Sequence, residues 1–307
     1  MNPLFKFVLK IASSERFDMQ EDYTWIRKIQ RMFSKITTTK NAYYFLDNKI
    51  YSKDDDHEIP VRIFYPEEKK HDEYIIYIHG GGWVLGDIDT YSRACINLAN
   101  ELGRIVYSID YRRAPEYPFP QGLEDCLQVV EVLLRPRKDK ERKWILMGDS
   151  AGGNLAAALM LQLKEKKKAL PEKLVLLYPV TYWDHTENSP FPSITKYGED
   201  YGLTSKKIQE YMEMYAPDKK ERKDPLISPL MAEDLTDFPD TLVITAEFDP
   251  IRDEGEAFGK ALAEAGNRVA MQRIPQSVHG FITYDKNARP LQEAYQGMEQ
   301  FLNDQMV

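Results

Sequence analysis

The chain has 307 residues, of which 43% are hydrophobic, and its formal net charge at pH 7 is −8. This hydrophobic share is large enough for a sizeable core, which excludes a mainly disordered chain. The acidic balance argues against a nucleic-acid partner, because binding to phosphates depends on an excess of Lys and Arg.

Neither the cysteines nor the apolar segments point to export or to a membrane. Cys95 and Cys126 are too few for a disulfide framework and fall on apolar faces of predicted helices, so we expect buried free thiols in a reducing compartment. No stretch approaches the roughly 18 apolar residues of a membrane span, and the apolar segment 5–11 lacks the small-residue cleavage site of a secretory signal. We therefore predict a cytoplasmic protein without stable membrane insertion.

The first forty residues are predicted to be helical. Apolar side chains recur at positions i, i+4, i+7, i+8 and i+11, which places one apolar stripe along a helix. These side chains are Trp25, Ile29, Met32, Phe33 and Ile36. Two strands, 43–51 and 59–65, are predicted next, on either side of a polar turn.

From residue 74 onward, short apolar segments alternate with helical patterns. The predicted strands are 74–78, 105–109, 144–147, 174–178, 242–245 and 269–274, and the predicted helices are 91–102, 121–134, 151–167 and 251–265. Most of these strands are continuously apolar, as expected when helices cover both faces of a sheet. The alternation predicts an α/β fold with a mostly parallel sheet.

One segment interrupts this alternation. More than sixty residues separate strand 174–178 from strand 242–245, which is more than a crossover needs. Insertions at this edge of a parallel sheet are common places for lids. Helical spacing recurs within it behind a predicted N-cap at Thr204, at Ile208, Tyr211, Met212 and Tyr215.

The sequence GDSAG (148–152) lies between a predicted strand and a predicted helix. A serine on such a sharp turn needs small neighbours, and the turn presents its hydroxyl at a helix N-terminus, where developing negative charge is favoured. The pattern G-x-S-x-G alone occurs often by chance. The strand–turn–helix context nevertheless favours a nucleophilic Ser150 over an ordinary tight turn.

A glycine-rich turn, HGGGW (79–83), follows strand 74–78. Three glycines in a row cost backbone entropy, so we expect a use for them beyond a simple turn. That use is to aim N–H groups at an oxyanion, together with the N–H of Ala151, the residue after the serine. Phosphate binding is the competing explanation, but neither G-x-G-x-x-G nor a Walker A pattern is present. His79 itself is predicted to be a structural residue of the turn.

A nucleophilic serine requires a base and a carboxylate that orients the base. Among the five histidines, His279 follows the last predicted strand and would lie at the same edge of the sheet as Ser150, while His185 lies in the insertion without an assigned role. Asp249 follows the preceding strand, whereas Asp253 is predicted to cap or pair within the next helix. The chain order Ser, Asp, His is the one found in α/β-hydrolases.

These motifs resemble the bacterial hormone-sensitive lipase-like family of α/β-hydrolases. The matching segments stand in the family's order over roughly two-thirds of the chain: HGGGW (79–83) with VLGDIDT (84–90), DYRRAPEYPFP (110–120), GDSAGGNLAAA (148–158), LLYPV (176–180), AEFDPIRDEG (246–255) and HGF (279–281). The family's usual YRLAPEHPFP here has Arg113 in place of Leu and Tyr117 in place of His, and its usual THD is Thr90-Tyr91-Ser92. These departures concern packing or substrate preference and lie outside the catalytic motif.

The resemblance implies an α/β-hydrolase fold with a mostly parallel, twisted, eight-stranded sheet, and it implies no cofactor and no metal. It implies a cap made of an N-terminal helical segment, 1–40, and an insertion, approximately 181–238, on a catalytic domain that spans 41–307. It further implies a triad of Ser150, Asp249 and His279 and an oxyanion hole formed by Gly81, Gly82 and Ala151. A homodimer formed through an edge strand is compatible with the resemblance.

The motifs predict a serine carboxylesterase that hydrolyses short- to medium-chain acyl esters through an acyl-enzyme intermediate. Trp83, Tyr211 and Met212 are predicted to contact the small-molecule ester substrate. Amide cleavage, acyl transfer to an alcohol, and deacetylation of a specific natural product or sugar ester remain open, because the cap selects the leaving group and the acceptor. A non-catalytic ligand receptor on the same fold is an alternative of another class, which the complete triad disfavours.

Overall fold

The strands predicted from short apolar segments form one sheet. The computed structural model describes residues 19–38, 45–54, 56–135 and 143–305, and within these the sheet has eight strands. They are β1 (Phe45–Tyr51), β2 (Glu58–Phe64), β3 (Tyr74–Ile78), β4 (Ile105–Ile109), β5 (Trp144–Asp149), β6 (Lys173–Leu177), β7 (Asp240–Phe248) and β8 (Val269–Val278). Residues 43–44 of the first predicted strand lie outside the described residues.

The order of the strands across the sheet is β1-β2-β4-β3-β5-β6-β7-β8. Strands β3 to β8 run parallel to one another, whereas β2 pairs antiparallel with both β1 and β4. The predicted α/β fold with a mostly parallel sheet is therefore confirmed. Because the carboxyl ends of parallel strands meet at one edge, the loops after β3, β5, β7 and β8 lie along that edge.

Helices cover both faces of the sheet. In the described residues they are α1 (Met19–Thr38), α2 (Ser92–Leu102), α3 (Gln121–Leu133), α4 (Ala151–Glu165), α5 (Pro192–Tyr197), α6 (Ser205–Tyr215), α7 (Arg252–Glu264) and α8 (Arg289–Leu302). Helices α2 and α8 contribute to the core on one face, and α3, α4 and α7 contribute to the core on the other. As a result, all five residues of β3 are buried. None of the helices in these ranges combines the length and the apolar character that a membrane span requires.

Helix α1 does not bury the apolar stripe that the sequence predicted. Trp25 is 51% exposed and Met32 is 56% exposed. The side chains of α1 that reach the core are instead Met19, Tyr23 and Ile26. The prediction was wrong because two apolar stripes overlap on this helix, and periodicity alone does not tell which of them faces the protein. The side chains of Phe33 and Ile36, and residues 1–18 and 39–44, lie outside the described residues.

Polar side chains hold α1 against the segment that follows HGGGW. Nε of Arg27 donates to the carbonyl oxygen of Val84 (2.7 Å), and Nε of Arg31 donates to Oδ2 of Asp87 (2.6 Å). Helix α1 also contacts α6. The N-terminal helix and the insertion therefore lie against each other, above the carboxyl edge of the sheet.

The insertion, residues 181–238, contains α5 and α6. Helix α6 begins after Thr204, whose hydroxyl oxygen accepts a hydrogen bond from the N–H of Lys207 (3.2 Å). The predicted N-cap is therefore present, because this bond satisfies one of the N–H groups that the first helical turn leaves unpaired.

Candidate active site

The side chains predicted to be catalytic lie directly after strand ends. Ser150 follows β5, Asp249 follows β7 and His279 follows β8, while the turn HGGGW follows β3. All four strands belong to the parallel part of the sheet. Segments that are far apart in the sequence therefore meet at one edge of the sheet.

Ser150 lies on the sharp turn between β5 and α4 and has a left-handed backbone, with φ of 54° and ψ of −120°. Side chains other than glycine rarely adopt such a conformation, and it persists only where the surroundings hold it. The N–H of Ser150 donates to the carbonyl oxygen of Leu177 (2.9 Å). A Cβ at Gly152 would collide with the carbonyl oxygen of Ile78, so only glycine allows α4 to approach β3 this closely.

Hydrogen bonds connect the serine, the histidine and the aspartate. Nε2 of His279 lies 2.8 Å from Oγ of Ser150, and Nδ1 of His279 lies 2.8 Å from Oδ2 of Asp249. Because a carboxylate only accepts hydrogen bonds, Nδ1 carries the proton and Nε2 accepts from the serine hydroxyl. The other carboxylate oxygen of the buried Asp249 accepts from the N–H of Ile251 (3.0 Å), which fixes the carboxylate in place. This arrangement allows His279 to take a proton from Ser150.

Three backbone N–H groups beside Ser150 are available to an anion. In the described part of the chain, the N–H groups of Gly81 and Gly82 donate to no acceptor. The N–H of Ala151 lies in the first turn of α4, where helical N–H groups have no intrahelical partner. Gly81 and Gly82 line the same cavity as Ser150. An oxyanion that forms next to Ser150 can therefore be stabilised by these groups.

Asp149 is a buried residue that the sequence patterns did not single out. Its Oδ1 accepts from the hydroxyl of Tyr77 (2.7 Å) and from the N–H of Gly80 (2.7 Å), and its Oδ2 accepts from the hydroxyl of Tyr91 (3.1 Å). Burial raises the pKa of Asp149, and these donors oppose that effect. The carboxylate therefore joins the turn that carries Ser150 to the turn that carries the glycines. The available signal was a charged residue placed between a predicted buried strand and the serine, because a buried carboxylate needs hydrogen-bond donors.

Tyr178 extends this network to the loop that carries the histidine. Its hydroxyl lies 3.5 Å from Oδ2 of Asp149 and accepts from the N–H of Ile282 (3.2 Å). Its ring contacts the imidazole of His279 edge-on, with 4.8 Å between the ring centroids. The position of His279 is therefore set by contacts on two sides, from Asp249 and from Tyr178.

Ser150 and His279 open into a cavity of about 220 Å³. Of the three residues predicted to contact substrate, Trp83 and Tyr211 line this cavity, whereas Met212 does not, because it is fully buried in the core. Successive residues of a helix point about 100° apart, so Tyr211 and Met212 cannot both face the cavity. The rest of its apolar wall consists of Val180, Leu203 and Ile208.

The other titratable candidates lie outside this cavity. His79 is fully buried, its Nδ1 contacts the carbonyl oxygen of Gly80 (2.8 Å), and burial lowers its pKa to about 4. His185 is also buried, with Nε2 3.1 Å from Oε2 of Glu254. Asp253 pairs with the neighbouring arginine and accepts a backbone N–H. Within the described ranges, no three His, Cys, Asp or Glu side chains are placed so that they could hold a metal ion.

The residues that depart from the family's usual sequence have different environments. Tyr91 contacts Asp149, as described above, and lines the cavity that contains Ser150. Arg113 donates to the carbonyl oxygen of Gly86 and lies 3.8 Å from the carboxylate of Asp87. Tyr117 is exposed. Arg113 therefore supports the segment that follows the glycine-rich turn, Tyr91 forms part of the wall of the site, and Tyr117 does not reach the site.

Known proteins share this fold. Residues 75–283 match a family described by the alpha/beta hydrolase fold. An arylesterase from Saccharolobus solfataricus is 35% identical over 86% of this chain and 85% of its own length, and an ethyl acetate hydrolase from Pseudomonas putida is 33% identical over 74% of this chain and 73% of its own. A solved esterase structure from Pyrobaculum calidifontis superposes with a TM-score of 0.86 at 28% identity, covering 100% of this chain and 99% of that one.

The chain belongs to this α/β-hydrolase family, and the resemblance to hormone-sensitive lipase-like esterases is confirmed. Within the family it is a carboxylesterase, a hydrolase of carboxylic esters.

Proposed function

We propose that this carboxylesterase hydrolyses short- to medium-chain acyl esters with Ser150 as nucleophile, His279 as general base and acid, and Asp249 as the group that orients His279. The observation that carries the proposal is the unbroken chain of two 2.8 Å hydrogen bonds from the serine hydroxyl to the buried carboxylate. A receptor on this fold would not need such a chain, so the geometry favours catalysis.

The reaction has two halves. Oγ of Ser150 attacks the ester carbonyl while Nε2 of His279 takes its proton, and the collapse of the tetrahedral intermediate releases the alcohol, which receives that proton. Water, deprotonated by His279, then attacks the acyl-enzyme and releases the acid. In both halves Asp249 holds the histidine in the required tautomer and stabilises the imidazolium.

The negative charge on the former carbonyl oxygen requires donors that are in place before the reaction. The N–H groups of Gly81, Gly82 and Ala151 are assigned this role. Loss of one such donor costs about 2.7–4 kcal/mol of transition-state stabilisation in a comparable enzyme. The Asp149 carboxylate supports the role indirectly, because it fixes the N–H of Gly80 at the start of the same turn.

The preference for short and medium acyl chains rests on the size and closure of the cavity. It has a volume of about 220 Å³, and the cap residues Leu203, Ile208 and Tyr211 form part of its wall. A small cavity that is closed in part by the cap suits a short acyl chain better than a long one. The similarity to an ethyl acetate hydrolase points in the same direction.

The proposal is tested with p-nitrophenyl esters from acetate to palmitate and with the Ser150→Ala variant. We expect the highest kcat/KM at short chains and a fall in kcat on the order of 10⁶-fold in the variant, as for the nucleophile of another serine hydrolase. Ser189→Ala is the matched control, because in the described structure its hydroxyl has no hydrogen-bond partner. It should keep wild-type kinetics.

A covalent probe separates chemistry from binding. A fluorophosphonate should add one phosphonyl group to wild type and to Ser189→Ala, and none to Ser150→Ala, as measured by intact mass. Turnover of esters by Ser150→Ala at the wild-type rate would contradict the assignment of the nucleophile. A maximum at palmitate would contradict the proposed chain length while leaving the mechanism intact.

A further inference from the structure

A second cavity lies beside the catalytic one. It has a volume of about 400 Å³ and shares Gly81, Tyr91 and Thr283 with the smaller cavity that contains Ser150. Its remaining walls come from α1, from the segment after HGGGW and from the start of α2. Any group that occupies it is therefore close to the ester carbon under attack.

This cavity lies on one side of the reaction centre, and that side indicates which part of the ester enters the cavity. Thr283 belongs to the short turn that follows His279, and that histidine must reach the oxygen of the leaving alcohol in order to protonate it. The apolar residues Leu203 and Ile208 line only the smaller cavity. The larger cavity is lined in part by polar side chains, which are Gln30, Ser34, Thr90 and Arg93. The purely apolar acyl chain therefore fits the smaller cavity, and the alcohol fits the larger one.

Arg93 is the one charged side chain among the described residues that line the larger cavity. Its Nη2 donates to the carbonyl oxygen of Thr283 (2.8 Å), and within the described part of the chain no carboxylate lies within 4.0 Å of its guanidinium. In contrast, the nearby Arg31 is paired with Asp87. The positive charge of Arg93 is therefore not neutralised by a side chain of this cavity.

A second polar group in the same wall lacks a partner. Oε1 of Gln30, on α1, is buried and accepts no hydrogen bond in the described structure. Buried acceptors of this kind are normally satisfied, by the protein or by what it binds. Oε1 can pair only with a donor, so it does not hold an anion; what suits a negatively charged group on a small organic body is the unneutralised cation of Arg93 in this wall.

We infer that this cavity binds the leaving alcohol and selects esters whose alcohol carries a carboxylate, with Arg93 as the residue that recognises it. An arginine guanidinium matches a carboxylate with two parallel N–H···O bonds, and such charge-assisted bonds are stronger than neutral ones. Because the net charge of −8 does not attract an anion, the proposed preference depends on this local cation alone. The inference rests on the proposed ester hydrolysis and adds the class of alcohol.

The chemistry itself is unchanged by the added group. The bond between Oγ of Ser150 and the acyl carbon forms, the bond between that carbon and the alcohol oxygen breaks, and the proton from His279 goes to the alcohol oxygen. The alcohol leaves with its carboxylate still ionised. Arg93 contacts a part of the substrate that does not react, so it changes binding in the acylation half and has no role in hydrolysis of the acyl-enzyme.

The test compares two acetate esters, 4-acetoxybenzoate and the neutral 4-acetoxybenzamide, which differ in charge at one position of the leaving group. We expect the ratio of their kcat/KM values to fall about twofold to fivefold in Arg93→Gln, since the charged contact that is lost is an exposed one. Arg93→Lys should show a smaller fall, because it keeps the charge and loses the two-bond geometry. Differences in intrinsic reactivity cancel, because each variant is compared through the same two esters.

Two further readouts belong to the same experiment. The ratio in wild type should decrease between about 0.05 and 0.5 M NaCl and stay flat in Arg93→Gln, because Arg93 is exposed and salt screens an exposed ion pair. Both esters form the same acetyl-enzyme, so the change should appear in kcat/KM, which reports acylation. Arg268→Gln is the matched control, since Arg268 precedes β8 at the opposite edge of the sheet and pairs with Asp240. It should leave the ratio unchanged.

The outcomes are distinct. An unchanged ratio in Arg93→Gln would overturn the inference, and so would an equal loss for both esters, which would mean that Arg93 acts only by holding Thr283 and the loop of His279. Failure of the proposed function has another signature, since wild type would then hydrolyse neither ester.

Discussion

The substitution Gly82→Ala probes the glycine-rich turn most directly. Gly82 has a φ of 62°, in the left-handed region, and an added Cβ would lie 2.5 Å from Cδ2 and 2.8 Å from Cδ1 of Tyr211. Both distances are shorter than the 3.0 Å that real Cβ atoms require. Tyr211 is held in place, because its hydroxyl contacts the sulfur of Met19 at 3.1 Å. Either the ring or the turn must therefore move.

The size of the effect follows from what the turn provides. A non-glycine residue in this backbone region costs about 1–2 kcal/mol. If the turn moves, the N–H of Gly82 no longer points at the oxyanion, and one lost donor lowers kcat by about 10²–10³-fold. We therefore expect a fall of that size in kcat for p-nitrophenyl acetate, with a loss in the free energy of unfolding of only about 1–2 kcal/mol.

A double variant separates the collision from the backbone strain. Adding Tyr211→Ala to Gly82→Ala removes the ring that the new methyl group meets, so we expect kcat to recover about tenfold over the single variant. The matched control is Gly266→Ala: Gly266 has a φ of 91° with nothing within 4 Å of an added Cβ. It should lose similar stability and keep its kcat.

The reasoning would be refuted by a wild-type kcat in Gly82→Ala. It would also be refuted if the double variant were as slow as Gly82→Ala while Tyr211→Ala alone remained active. In the first case either only the ring of Tyr211 has moved or the N–H of Gly82 is not a donor to the oxyanion, and in the second the collision with Tyr211 is not what displaces the turn.

Two other predictions concern pH and chain length. Burial raises the pKa of Asp110 from 3.8 to about 6, so its ionisation opposes folding: the penalty is absent below about pH 4, grows as pH rises, and is complete above about pH 6. At about 1.4 kcal/mol per pH unit, Asp110→Asn should gain about 3 kcal/mol relative to wild type at pH 7 and nothing near pH 4, as measured by urea unfolding. Leu203→Ala should move the optimum of the p-nitrophenyl ester series to longer acyl chains, because Leu203 lines the smaller cavity. Met212→Ala should destabilise the protein without moving that optimum.

Contrary results for these variants are easily recognised. A difference between Asp110→Asn and wild type that does not change with pH would mean that the carboxyl has an ordinary pKa in the folded protein. A shift in the ester optimum caused by Met212→Ala, and not by Leu203→Ala, would mean that the acyl chain does not follow the wall described here.

The sheet was predictable because burial on both faces leaves a simple pattern. Strands β3 and β4 have the bounds expected from continuous apolar segments, 74–78 and 105–109. The bounds of β7 and β8 were predicted too short, because their polar ends are held by backbone pairing, which hydropathy does not detect. The order of the proposed catalytic residues along the chain was also visible, since each follows a predicted strand.

The sequence does not reveal the direction in which a side chain points. Trp25 and Tyr23 lie on the same helix, and the spacing of apolar residues does not show that the first is exposed and the second packs on the core. Tyr211 and Met212 are neighbours on one helix, and their spacing likewise does not show that only Tyr211 lines the cavity. The contacts of Asp149 join residues that are 58 to 72 positions apart, and no local pattern reports such a distance.

The buried carboxylate of Asp149 has a consequence for how this protein can diversify. It connects Gly80, Tyr77 and Tyr91, all of which belong to the sheet and its first loops, and none of its partners comes from the insertion. The contacts of Asp149 therefore hold the turn of Ser150 and the glycine-rich turn together without the insertion. Residues of α1, α6 and the loop before α6 line the two cavities, together with Arg93 of α2. Substitutions in the cap can therefore change which esters bind without changing the contacts that Asp149 makes.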